Sequence, residues 1–269
     1  MTEFGNAERA FVAVLRRDLA IYMSYRTRFI SQAASSLFSL ALFYYVSRLV
    51  HVRGFGSPDR YYAFVVVGLA LLGVIYACFA TPGLVRQELV AGTLERLVLS
   101  PFGAVRSIIA MTLFPLAYAS VLATLSLALA CAVFGLQLHS STVALALPML
   151  ALTLVAFLPF GLLFAALTIV IKQDNVGTNW VVSVLALIGG MYFPISLLPH
   201  WLQIAGRLQP FTPATELLRH LLVNTPLNAS VGASLAKLAI FAAVLLPLSI
   251  LALSSAVRIG QRRATIIEY

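Results

Sequence analysis

The amino-acid sequence predicts an all-α membrane protein: six transmembrane helices, an N-terminal interfacial amphipathic helix, a cytoplasmic helix between the second and third spans, and extracellular re-entrant helices. Three observations predict it. The chain is 61% hydrophobic and 10% charged, whereas a soluble domain is about 25% charged. Its charges are grouped, leaving apolar gaps long enough to cross a hydrocarbon layer about 30 Å thick, which takes about 20 helical residues. Its net charge of +9 is unevenly distributed along those gaps. Basic residues collect in cytoplasmic loops of membrane proteins, so the charge is read as topology and implies no nucleic-acid partner.

The elements follow in chain order. Residues 7–25 place Phe11, Val14, Leu15, Leu19 and Tyr22 on one helical face and Arg9, Arg16 and Arg17 on the other, the pattern of a helix lying at a lipid surface. Spans follow at about 29–50 and 61–81. No charged residue occurs between Arg106 and Lys172. That stretch is too long for one crossing, and the polar cluster QLHSST at 137–142 divides it into spans at about 107–135 and 143–171. Pro115, Pro148, Pro159 and Pro247 lie inside spans and read as kinks that neighbouring helices tolerate. The fifth span is expected at 176–196 and the sixth at 235–257. Cys78 and Cys131 sit in apolar runs and read as small hydrophobes.

An even number of spans puts both termini on one side. With the N-terminus cytoplasmic, that side collects twelve of the eighteen basic residues, leaving Arg48, Arg53, Arg60, Arg207, Arg219 and Lys237 outside. The positive-inside rule therefore places both termini and residues 82–106 in the cytoplasm. The expectation is one transmembrane domain over 1–269, multi-pass in the cell membrane. No cleavable signal pattern occupies the first 25 residues, so the first span directs insertion.

The segment 82–106 is unusual for a connector, because helix–helix links are about 2–8 residues long. In QELVAGTLERLVLSP, residues 87–101, Val90, Leu94 and Leu97 fall on one side of an ideal helix and Glu88 and Glu95 on the other. A single short amphipathic helix is expected, with Gly92 marking a bend or a close backbone approach. Ser100-Pro101 stops it, since the residue before proline avoids the α region. ELVAGTLERLVLSP resembles the cytoplasmic coupling segment of type-2 ABC transporter permeases. The resemblance implies a helix held in a groove of a separate ATPase subunit, through Arg86, Glu88, Gly92, Thr93, Leu94, Glu95, Arg96, Leu97 and Pro101.

The later segment YFPISLLPHWLQIAGRLQPFTPATELLRHLL, 192–222, contains two short amphipathic pieces, each opened by a proline, which is favourable at the first helical position. Each is too short to span, which fits re-entrant helices within 197–226, with Trp201 suited to the headgroup level. Glu216 and Arg219, three apart, are placed to pair on one face. This segment is similar to the same family's pattern after span five, and the resemblance implies an extracellular gate containing Pro194, Pro199, Trp201, Pro210, Pro213, Glu216 and Arg219.

Spans one, two and five carry aromatics, among them Phe43, Tyr44, Tyr45, Tyr76, Phe79, Trp180 and Tyr192, and no central charge. Each is either a packing residue or part of a substrate path. A charge-free aromatic path suits an amphipathic cargo: a lipid-linked saccharide, a lipid or a hydrophobic drug. No GxxxxGK[ST] run is present to cradle phosphates, and His51, His139, His200 and His220 are scattered. The resemblance thus implies a permease subunit that is not itself an enzyme and binds no cofactor, with ATP and Mg held by a partner ATPase. It also implies a homodimer with a second permease copy in membrane lipid, exporting from the cytoplasm or inner leaflet. A structural membrane anchor and a polytopic membrane enzyme are the other readings.

Overall fold

The computed structural model describes residues 26–49, 55–100, 102–139, 141–172 and 177–262, together with Arg16 and Ala20. The helix expected over 7–25 lies, those two residues apart, outside the described residues. All regular structure among the described residues is helical. Among the described residues, four helical stretches are long and apolar enough to cross a membrane: Pro58–Val90, Ala104–Phe134, Val143–Ile171 and Val231–Arg262.

Helix α1 (Arg26–Leu49) is long enough to cross, but it carries Ser31, Gln32, Ser35, Ser36, Ser39 and Ser47, and its apolar character is correspondingly weak. The next helix, α2 (Pro58–Cys78), begins on a local signal. Ser57 is its N-cap and its side chain accepts from the Arg60 amide, with Pro58 in the first turn where no amide donor is needed. Asp59 pairs with Arg48 of α1 at 2.6 Å, an exposed ion pair that sets the hairpin's register more than its stability.

After a two-residue turn at Phe79 and Ala80, whose dihedrals stay near the helical region, α2 passes into α3 (Thr81–Val90). The bend rests on α6 (Val143–Ile171): a Cβ built on Gly161 would stand 2.1 Å from the Cys78 carbonyl oxygen, so only glycine admits this backbone contact. A short helix α4 (Leu94–Leu99) and the long α5 (Ala104–Phe134) follow. Gly135 ends α5 in the left-handed region that favours glycine. Pro115 in α5 and Pro148 and Pro159 in α6 leave both helices continuous.

Two clusters mark the two ends of the bundle. Leu40, Tyr62, Val66, Ala130 and Leu136 tie α1, α2 and α5 together near the end that carries the Arg48–Asp59 pair. Val85, Leu89, Leu94, Ile108, Ile169 and Val257 pack at the opposite end, joining α3 and α4 to α5, α6 and α10 (Val231–Arg262). The largest core runs between them through Ile75, Phe157 and Phe211. Cys78 and Cys131 are free thiols, as expected of small hydrophobes. Helix α1 begins, and α10 finishes, at the end that carries α3 and α4.

The expected fifth span is not a full-length helix. Only Thr178–Ile188, eleven residues, is helical (α7), well short of the roughly 20 that a crossing requires. The chain then turns through Gly189 and Gly190, makes a 3-10 turn at Ile195–Leu197, and folds into the helical pair α8 (His200–Leu208) and α9 (Phe211–Val223). The α8–α9 corner lies deep in the bundle: Phe211 meets Phe157, the middle residue of α6, edge to face at 4.7 Å between centroids. The far end of α9 returns to the α5–α6 loop, where the His139 amide donates to the Leu222 carbonyl at 2.8 Å and the Thr142 hydroxyl to that of Leu221.

Candidate functional site

Two regions contain the residues singled out in the sequence. The first is the α3–α4 end. The expected single amphipathic helix is two helices, because Gly92 ends α3. At φ +64°, Gly92 donates its amide to the Leu89 carbonyl at 3.1 Å, and the Thr93 amide reaches the Glu88 carbonyl at 3.0 Å. That pair of bonds is a Schellman termination, which requires a left-handed residue at the position Gly92 holds. No atom lies within 4 Å of a Cβ built there, so Gly92 serves the bend and not a close approach.

The break re-sorts the faces. Leu94 is buried at 1% exposure and Leu97 is half-buried, but Val90 is exposed rather than sharing their side. Val85 and Leu89 of α3 take its place in the buried cluster. Glu88 and Glu95 lie on different helices, and the Glu88 carboxylate accepts the Thr93 hydroxyl across the bend. Arg86 and Glu95 are half-buried beside this joint, and Arg96 is exposed. Gln87, Val90, Ala91, Gly92, Arg96 and Leu99 form the outward surface, with Leu99 85% exposed. Ser100 closes α4, its hydroxyl donating to the Leu97 carbonyl at 2.8 Å and accepting from the Gly103 amide at 3.2 Å. Pro101 lies outside the described residues.

The second region is the broken α7 and the hairpin beneath which it ends. A helix that stops inside apolar surroundings leaves its last carbonyls without partners, at a cost of several kcal/mol each where no water reaches. Here most are met. Gly190, at φ +74°, closes a second Schellman termination: its amide donates to Leu187 at 3.4 Å and the Met191 amide to Ala186 at 3.1 Å. The hairpin adds further donors. Gln209 Nε2 donates to the Leu185 carbonyl at 3.2 Å, and the Thr215 hydroxyl lies 3.4 Å from that of Gly189. Gly206 of α8 approaches so closely that a Cβ there would stand 2.6 Å from the Ile188 oxygen.

Arg219 completes this set. It is 2% exposed, and all its directional bonds go to main-chain carbonyls. Nη1 donates to Gly190 at 2.8 Å, Nη2 to Met191 at 2.7 Å, and Nε crosses to Phe64 of α2 at 2.9 Å. Its guanidinium also lies over the Phe64 ring, 3.4 Å from the centroid, a cation–π contact. The expected Glu216–Arg219 pair does not form. The Glu216 carboxylate accepts instead from Asn228 at 2.6 Å, because Arg219 points into the bundle where the α7 carbonyls draw its positive charge.

The other hairpin residues divide by role. Pro194, Pro199 and Pro210 stand just before the 3-10 turn, α8 and α9, and each is extended or at a helix start. Helix α9 begins two residues before Pro213, which is buried in its first turn. Trp201 is exposed and shares an outward apolar stripe of α8 with Ile204 and Leu208, and Leu197 of the preceding 3-10 turn is exposed as well.

The path aromatics also divide. Phe79 is buried against Phe160 and Phe164, and Tyr44 packs between Tyr62 and Phe134; both are core residues. Tyr45 and Tyr76 are exposed and Trp180 is 79% exposed. Tyr192 is half-buried and stacks on Phe43 at 6.2 Å.

Gly68, Gly161, Gln209 and Thr215 belong to these joints but escape the sequence reading. The signals were an isolated glycine inside an apolar helical run and the Gly189-Gly190 pair, both of which mark close backbone approach or a break. No curated protein matches the chain. The family model for ABC-2 type transporters matches residues 9–223, from the N-terminal segment to the last residue of α9. That match includes both the presented α3–α4 end and the capped break at α7, and the chain belongs to the ABC-2 type transporter family, as a membrane domain of an ABC transporter.

Proposed function

We propose that this chain is the permease subunit of an ATP-driven exporter. Two copies enclose a path for an amphipathic cargo, a lipid, a lipid-linked saccharide or a hydrophobic drug, and two ATPase subunits bind ATP and Mg and drive it from the cytoplasm. In this reading α1, α2, α5, α6, α7 with its hairpin, and α10 make six traverses of the cell membrane. Both termini and the α3–α4 end face the cytoplasm, and the α8–α9 hairpin is an outer gate. Arg86, Glu88, Glu95 and Arg96 belong to the contact with the ATPase.

One observation carries the reading: α3–α4 presents Gln87, Val90, Ala91, Arg96 and Leu99 outward while Val85, Leu89 and Leu94 bolt it to three long helices. A rigid, outward-facing element anchored in this way suits transmission of force from a docked partner. The charge-free aromatics Tyr45, Tyr76, Trp180 and Tyr192 support an amphipathic cargo. The test is ATP hydrolysis by the complex isolated from native membranes and reconstituted in vesicles, with candidate lipids and drugs added. Stimulation by one cargo class, reduced in Glu95→Lys without loss of folded chain, is the expected result; charge reversal at an interface typically costs several kcal/mol. ATP hydrolysis that no cargo changes would favour a structural anchor.

A further inference from the structure

We infer that Arg219 is the positioning residue that makes the outer hairpin follow α2, and that α2–α3 is a lever pivoting on Gly161 of α6. This rests on the permease reading and adds the route by which the ATPase-facing end acts on the gate. Three observations carry it.

First, α2 and α3 form one nearly continuous rod, Pro58–Val90, with its bend at Phe79 and Ala80. At about 1.5 Å per residue, Val90 lies about 16 Å along one arm and Gly68 about 16 Å along the other. A tilt of the whole rod about this bend would move Gly68 about as far as the α3 tip.

Second, the bend touches α6 backbone to backbone. The space that a Cβ at Gly161 would need is filled by the Cys78 carbonyl, 2.1 Å away, and by the Thr81 hydroxyl oxygen at 3.0 Å. This notch, together with Phe79 packed on Phe160 and Phe164 of α6, holds the bend at a fixed place on α6.

Third, the far arm is clasped. A Cβ at Gly68 would stand 2.5 Å from the Met191 oxygen and 2.6 Å from Arg219 Nη2, so α2 is notched where the guanidinium and the α7 terminus enter. Arg219 bonds α2 through Phe64 and the end of α7 through Gly190 and Met191, while belonging itself to α9. One planar side chain thus joins three elements. A lysine, with a single nitrogen, lacks the fork that reaches all three carbonyls.

The experiment is hydrogen–deuterium exchange, read by mass spectrometry, on the reconstituted complex with its ATPase, with and without ATP trapped by vanadate. In the wild type, trapping is expected to change exchange at 81–100, at 58–68 and across 199–223 together. In Arg219→Gln the changes at 81–100 and 58–68 persist and the change across 199–223 is lost; Arg219→Lys does not restore it. A hairpin that responds to ATP in Arg219→Gln as in the wild type overturns the inference. So does a wild type in which 58–68 responds and 199–223 does not. Should Arg219→Gln fail to assemble, Gly68→Ala keeps the charge but opens the clasp, and a wild-type hairpin response in that variant is equally fatal. An absence of any ATP-dependent change at 81–100 in the wild type would instead refute the permease reading beneath it.

Discussion

Leu94 and Leu99 sit at the two ends of one six-residue helix, yet one is 1% and the other 85% exposed. Replacing each by alanine separates anchoring from docking. Leu94 fills the cluster formed by Val85, Leu89, Ala104, Ile108 and Ile169. Burying a leucine is worth about 1.5–3 kcal/mol, and the cavity left behind raises the cost of Leu94→Ala to about 2–5 kcal/mol. At about 2–4 °C per kcal/mol for a chain of this size, its melting temperature is expected to fall by roughly 4–20 °C. Leu99→Ala removes no internal contact of that kind and is expected to shift stability by no more than about 0.5 kcal/mol, while weakening retention of the ATPase. Thermal unfolding of the purified chain in detergent, set beside co-purification of the ATPase, measures both. Equal melting temperatures for the two variants would refute the assignment of α4's buried face, and full ATPase retention in Leu99→Ala would remove Leu99 from the docking surface.

Three further outcomes are expected. Gly92→Ala should destabilise the chain by about 1 kcal/mol, the cost of a Cβ in the left-handed region, and a neutral result in thermal unfolding would mean the bend relaxes. Single cysteines at the exposed positions Gly56 and Ala91 should differ in intact cells, with membrane-impermeant maleimide reaching position 56 alone; external labelling at 91 inverts the topology. Native mass spectrometry should give two permease and two ATPase copies, and a stable, ATP-hydrolysing complex with one copy of this chain would contradict the proposed dimer.

The long helices were legible because charge-free stretches and their lengths are properties of the sequence itself, as at Val143–Ile171. The short α7 was not. Residues 176–196 are uncharged throughout and mostly apolar, and apolarity does not report where a helix stops; the stop is decided by Gly190's left-handed turn and by carbonyl partners from residues 209–219. Arg219 shows the same limit. Spacing offered Glu216 as its partner, whereas three carbonyls from α2 and the α7 terminus hold it, and main-chain oxygens carry no residue-specific signal. In α3–α4 the buried leucine was legible from periodicity, but Val90 was not, since one left-handed glycine resets the phase of every residue after it.

The serines of α1 bear on how the protein is made. With Ser31, Gln32, Ser35, Ser36, Ser39 and Ser47 along 24 residues, α1 partitions poorly from the translocon into lipid by itself, because each polar side chain offsets part of what its leucines and aromatics contribute. Helix α2, apolar along most of its length, supplies the missing driving force, and the Arg48–Asp59 pair links the facing ends of the two. The two helices are therefore expected to enter as a hairpin: a glycosylation reporter fused after residue 57 should show inefficient insertion of α1, and one fused after residue 90 efficient insertion of both. Biogenesis thus makes the first helix wait for the second, and efficient insertion of α1 in the shorter fusion would show that it does not.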